Sequence, residues 1–186
     1  SKGKTLTTAH RHFLGEVLIM SSMDNLKAAF AGESQANRKY LAFAKKAEQE
    51  GFPQVAKLFR AAAEAETVHA HAHLRAMGGV TTTLEHLQQA IDGEGHEFQE
   101  MYPPFVEEAV AEGNRKAEIS FRNAMTVEGT HHGLYQGALA AVQAGGDLPA
   151  APIYVCEICG HTHVGDDVPD RCPVCNAPKE RFFEVK

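Results

Sequence analysis

The chain has 186 residues, a formal charge of −6, 44% hydrophobic and 23% charged residues, which is the composition of a soluble globular protein with room for one ordinary domain and a small module. Lys and Arg are scattered rather than gathered into a stripe, which argues against nucleic acid as a partner. No apolar run approaches the roughly 20 residues that cross a bilayer. The short Val17-Leu18-Ile19-Met20 run has no cleavage signature after it, so a cytoplasmic protein without a membrane partner is expected.

Residues 1–22 read as an N-terminal arm with no assigned structure. Ser21 and Ser22 can cap a first helix, with Asp24 in its first turn, running to residue 50 and stopping at Gly51. Pro53 suits the first turn of a second helix, which ends near residue 77 before Gly78-Gly79. The Thr81-Thr82-Thr83 cluster caps a third helix over residues 84–112, expected to kink at Pro103-Pro104. Gly113 separates it from a fourth helix over residues 114–144. Residues 146–152 form a Gly, Pro and Ala linker. After it come short apolar pieces at Ile153-Tyr154-Val155, Val164 and Phe182-Phe183, a β pattern too small to build a core without a metal staple. The expected fold is therefore mostly α: a four-helix domain over residues 23–145, then a small metal-bound β module over residues 153–186.

The helical part carries a duplicated pattern. Glu33 is followed 33 residues later by Glu66-Thr67-Val68-His69, and Glu94 is followed 34 residues later by Glu128-Gly129-Thr130-His131. Glu and His three apart share one helical face. Two such helices plus one Glu from each of two others give the ligand set of a carboxylate-bridged di-iron or di-manganese site. Carboxylates suit hard cations and offset their charge, and imidazole suits iron. The same acids gathered without metal would repel one another.

The second half has an extra acid. Glu97 lies three residues after Glu94, where the first half has Ala36. This seventh donor makes the site asymmetric and lets Glu97 and His69 exchange as ligands when the redox state changes. Tyr40 and Tyr102, seven and eight residues after Glu33 and Glu94, return to the ligand face. They could bond ligating carboxylates or donate protons, or be core tyrosines with satisfied hydroxyls. His71, His73, His96 and His132 are taken as surface or packing residues, with His73 the one nearest to a ligand position.

All four cysteines fall in two Cys-x-x-Cys knuckles, Cys156 with Cys159 and Cys172 with Cys175, a spacing that points to metal rather than disulfides in a cytosolic protein. Four thiolates hold either iron or zinc, and spacing alone does not choose. The module's place behind a redox-capable site favours iron, which can pass single electrons. His161 and His163 are not needed to complete the site.

The chain resembles rubrerythrin. The resemblance is carried by Ala31-Gly32-Glu33-Ser34-Gln35-Ala36, by Glu66-x-x-His69-Ala70, by the segment from Gly93 through Glu94, Glu97 and Tyr102 to Pro103, by Glu128-x-x-His131 and by the paired Cys knuckles. It implies a ferritin-like bundle with a rubredoxin-like tail, a bridged di-iron site and a Cys-held mononuclear iron. Zinc or manganese could occupy the same donors. It further implies reduction of hydrogen peroxide to water in oxidative-stress defence, fed by an external donor such as rubredoxin or an NAD(P)H-dependent reductase. By match, the di-iron ligands would be Glu33, Glu66, His69, Glu94, Glu97, Glu128 and His131.

A two-fold pair of hairpins about the metals makes the second and third helices parallel, so their link must run the length of the bundle. About 25 residues of helix span roughly 37 Å. Residues 78–83 reach only about 20 Å when fully extended. The expectation is a domain-swapped homodimer, each site drawing its first three ligands from one chain and the rest from another. Two other readings stand beside the peroxidase: a ferroxidase or iron-handling protein, and a non-enzymatic protein with a structural zinc ribbon.

Overall fold

The structure is a computed structural model and describes residues 21–186; the N-terminal arm up to residue 20 lies outside the described residues. It divides into two compact units, one ending at Val80 and the other running from Thr81 to Lys186.

The first unit is a helical hairpin of α1 (Ser22–Gln49) and α2 (Pro53–Ala76). Its start is fixed as the sequence suggests. The Asp24 amide donates to the Ser21 hydroxyl at 3.2 Å, and the Ser21 amide donates to the Asp24 carboxylate at 3.3 Å, a reciprocal capping box. Gly51 makes the turn in a left-handed conformation, φ 82°, and Pro53 opens α2 without wasting an amide. The helices meet through small residues: Ala44, Ala47 and Ala56 are buried, with Phe59 against them. Asn37 ties the hairpin further along, its amide donating to the Ala63 carbonyl at 2.7 Å and to the Thr67 hydroxyl at 2.8 Å.

The second unit begins with α3 (Thr83–His96), capped by a matching Thr82 and Glu85 box. The expected single helix over residues 84–112 with a proline kink is corrected here. A π-helical turn, Glu97–Met101, interrupts it, and α4 (Tyr102–Ala111) follows. The Tyr102 amide bonds the Glu97 carbonyl, five residues back, so one extra residue is accommodated in the turn. Pro103 and Pro104 then fall in the first turn of α4, where a missing amide is tolerated. Asn114 caps α5 (Arg115–Gln143), accepting from the Ala117 amide at 3.2 Å.

The tail is an antiparallel sheet of β1 (Ile153–Cys156), β2 (Thr162–Val164) and β3 (Phe182–Glu184) in the order β2-β1-β3. Its buried residues are Cys156 and Cys172. The module has almost no apolar interior apart from the sulfurs that would hold a metal. It rests on α5 of its own unit: a Cβ on Gly160 would lie 3.9 Å from a methyl of Val127, itself 2% exposed.

Candidate metal centres

The duplication seen in the sequence is repeated in three dimensions. In the first unit, one donor atom from each of Glu33, Glu66 and His69 lies within 4.8 Å of the others; in the second, Glu94, Glu128 and His131 do the same. Both histidines present Nδ1 to the group. His69 Nδ1 stands 2.9 Å from Glu66, and His131 Nδ1 stands 2.8 Å from Glu128 and 3.7 Å from Glu94.

An aromatic trio accompanies each half. Tyr40, Phe43 and Phe59 pack tilted or edge-on with ring centroids 5.6 to 6.3 Å apart, and Tyr102, Phe105 and Phe121 do so at 5.6 to 6.2 Å. Sequence reasoning found the tyrosines but missed their partners. The signal was present: Phe59 and Phe121 each stand seven residues before the Glu of a Glu-x-x-His motif. Among the described residues neither tyrosine hydroxyl makes a hydrogen bond, so aromatic packing is what holds both rings. The π turn accounts for the spacing of eight rather than seven residues between Glu94 and Tyr102. The added residue returns Tyr102 to the face that Tyr40 occupies.

The halves also differ beside their motifs. Asn37 bonds Thr67 in the first unit, whereas in the second Phe98 lies against Gly129, whose added Cβ would meet the Phe98 ring at 3.2 Å. Glu97 is half-buried but stands outside the Glu94, Glu128 and His131 group. Its charge is felt at Tyr102, whose phenol is pushed up by burial and then by the carboxylates of Glu97, Glu128 and Glu94. Of the remaining histidines, His71 lines a cavity of about 220 Å³ beside Glu66, His96 pairs with Glu100 at 3.2 Å, and His132 lies against Gly95.

A cation suits these residues. Burial and then the neighbouring carboxyl of Glu128 hold Glu94 above the ordinary carboxylate range. A divalent ion among the donors would replace that repulsion with attraction.

The tail fits a metal on geometry. Sγ of Cys156 and Cys175 are 3.7 Å apart, and those of Cys159 and Cys172 are 3.6 Å apart. Bonds of about 2.3 Å to one tetrahedral ion give a sulfur separation of about 3.8 Å. The two knuckles repeat each other. The Cys156 amide donates to the His161 carbonyl and the Cys172 amide to the Ala177 carbonyl, and the residue after each second cysteine is left-handed, Gly160 at φ 84° and Asn176 at φ 61°. Without a metal, burial holds the Cys159 thiol far above its usual range, whereas a bound ion would keep it as thiolate. His161 and His163 each leave one buried ring nitrogen without a partner and stand outside the sulfur group.

Comparison with known proteins settles the family. The Rubrerythrin family model matches residues 24–139, and that of the rubrerythrin rubredoxin-like domain matches residues 154–183. The chain belongs to the rubrerythrin family. It is 36% identical over 176 residues to nigerythrin of Nitratidesulfovibrio vulgaris, covering 87% of this chain and 85% of that protein. It is 32% identical over 173 residues to Rubrerythrin-2 of Clostridium acetobutylicum, covering 86% and 94%. Among solved structures it is similar to nigerythrin in its mixed-valent state (TM-score 0.52, 34% identity) and its fully reduced, all-ferrous state (TM-score 0.53, 33% identity), each covering 91% of this chain and 89% of that one. The fold class is thus the mostly helical, ferritin-like one with a rubredoxin-like module. The cofactors of a rubrerythrin are a di-iron pair and a Cys-held iron, and the family's setting is oxidative-stress defence. No described helix is long and apolar enough to cross a membrane.

Proposed function

We propose that this rubrerythrin is a peroxidase that reduces hydrogen peroxide to water. The reading rests on one observation: two equivalent Glu, Glu, His groups in the same chain as a four-sulfur site of tetrahedral dimensions, which rests on the helix that carries one of them. Iron storage alone has no use for such an electron inlet.

In this reading Glu33, Glu66, His69, Glu94, Glu97, Glu128 and His131 hold the di-iron pair, and Cys156, Cys159, Cys172 and Cys175 hold the third iron. When bound, the pair supplies the electrons that cleave the O–O bond, and the Cys-held iron passes replacements one at a time. The balance is H2O2 plus two electrons and two protons to two waters. The carboxylates neutralise the cations, and Nδ1 of both histidines faces the donors. Glu97, outside the preformed group, would be the donor that alternates with His69 in holding the iron. Tyr102 keeps its phenol proton because burial and three carboxylates oppose its loss. It therefore holds a proton at its hydroxyl oxygen beside the donor group; Tyr40 has the corresponding place in the first half. The domain limits are those of the sequence: helices over residues 23–145, linker over 146–152, iron module over 153–186. The external donor is rubredoxin or an NAD(P)H-dependent reductase, and knuckles rather than disulfides suit a reducing cytoplasm.

The short connector supports a particular assembly. Six residues, 77–82, separate α2 from α3. They reach about 20 Å, less than the roughly 36 Å length of α2 at 1.5 Å per residue. We infer a swapped homodimer, with α1 and α2 of one chain meeting α3, α4 and α5 of another.

The test is anaerobic reduction of the full iron-loaded chain, then mixing with either stoichiometric peroxide or oxygen while both centres are followed optically. Fast reoxidation by peroxide and slow reoxidation by oxygen is expected. The reverse order would replace the peroxidase with a ferroxidase, and a colourless tail would mark a zinc ribbon.

A further inference from the structure

His131 has a second contact that its motif does not foretell. While Nδ1 faces Glu128 and Glu94, Nε2 lies 2.9 Å from the hydroxyl of Thr162, on β2 of the Cys module. A histidine that gives one ring nitrogen to a metal must carry its proton on the other. That N–H needs an acceptor to fix the tautomer and the ring plane. With Nδ1 given to a metal, the Thr162 oxygen at 2.9 Å is placed to be that acceptor. Its own hydrogen has a place to go, since the Gly160 carbonyl lies 3.5 Å away. Gly160 directly follows Cys159, and a Cβ built on it would come within 3.9 Å of a methyl of Val127, one helical turn before His131. Residues 160 and 162 of the module thus face α5 at Val127 and His131, one helical turn apart. The first half has no such arrangement in its own unit: among the described residues, His69 bonds only Glu66.

We propose that Thr162 is the positioning residue for His131, so that retention of iron by the helical site depends on the seated Cys module. The module then serves as part of the helical centre's outer shell as well as its electron inlet. The inference rests on the di-iron reading above, and its test separates the two.

The experiment uses the full iron-loaded chain, reduced under nitrogen and challenged with an Fe(II) chelator, in wild type, T162V, T162A and T162S. The visible absorbance of the oxidised Cys-held iron, read on each variant before reduction and again after reoxidation, reports that the module is folded. Loss of an outer-shell partner weakens metal binding about 10- to 100-fold. T162V and T162A should therefore release helical-site iron that much more readily at unchanged Cys-iron absorbance, and T162S should recover wild-type retention. The proposal is overturned if both substitutions hold iron as the wild type does. It is equally overturned if T162S is as leaky as T162V, because packing rather than the hydroxyl would then matter. A wild-type helical site that holds no iron overturns the di-iron reading and this inference with it. Were T162V alone to lose the visible absorbance, T162A against T162S carries the same comparison.

Discussion

The π turn between α3 and α4 can be tested by removing it. Deleting Gln99, an exposed residue within the turn, should restore a plain α-helix from α3 into α4. One residue fewer rotates everything before the deletion by about 100° and slides it by about 1.5 Å relative to everything after it. At a side-chain radius of about 5 to 6 Å, that rotation moves a side-chain tip by about 8 Å. The Glu94, Glu128 and His131 donors lie within 4.8 Å of one another, and Tyr102, Phe105 and Phe121 have centroids 5.6 to 6.2 Å apart. A displacement of about 8 Å exceeds both tolerances, so the shortened helix can satisfy α5 through Glu94 or through the aromatic trio but not both. If it keeps the donors, the two contacts to Phe121 are lost at about 0.5 to 1.5 kcal/mol each beyond their buried area. If it keeps the trio, Glu94 leaves the donor group. The measurements are iron per chain and the thermal midpoint, with the Cys-iron absorbance as internal control. A deletion variant with two helical-site irons and a wild-type midpoint would refute the account of the turn as a spacing device.

Three smaller perturbations follow from single contacts. N37A removes two bonds across the α1 and α2 hairpin but strands no donor, because the Thr67 hydroxyl still reaches the Ala63 carbonyl at 3.1 Å; a loss of about 1 to 2 kcal/mol is expected in chemical denaturation. At Asn176, held at φ 61°, N176G should be neutral while N176A costs about 1 to 2 kcal/mol, read as faster bleaching of the Cys-iron absorbance under denaturant. Glu118 pairs with Arg122 and Arg115, each at 2.8 Å, and these bonds hold its carboxylate below the usual range near 4.5. A depressed carboxylate stabilises above its unfolded value and loses that contribution as pH falls through the folded one. Stability against pH should therefore fall less steeply below about pH 4.5 in E118Q than in wild type, by circular dichroism.

Much of this was legible in the sequence, for identifiable reasons. Ser21 with Asp24 and Thr82 with Glu85 are local signals, since the bonds that begin a helix join residues three apart. The four cysteines are equally local. Glu33 with Glu66 and His69 could be read because ligand chemistry restricts the residue types and the hairpin restricts the spacing. The π turn was misread because prolines draw attention to themselves, whereas the residues that widen the helix, Glu97–Met101, have no distinguishing composition. The clue was arithmetic: the unequal distances from Glu33 to Tyr40 and from Glu94 to Tyr102. The bond from His131 to Thr162 could not be read at all. It joins residues 31 apart through the docking of one module on another, and nothing local to either residue announces it. Glu97 shows the opposite limit, since its place in the motif was plain but its position outside the preformed donor group was not.

The contrast in what fills each interior has a consequence for how the protein matures. The first hairpin closes on alanines and an aromatic trio, and the second group of helices has its own trio, so both have apolar packing that would not depend on iron. The tail buries little besides the sulfurs of Cys156 and Cys172, so its folding waits for an ion. A newly made chain would thus present ready helical donors beside an unfinished tail. Since the tail's Thr162 orients His131, the last metal to arrive at the cysteines would complete the helical site as well. In an iron-poor cell, chains with a filled tail would hold helical iron about 10- to 100-fold more tightly than chains without one, so the two centres would tend to fill together.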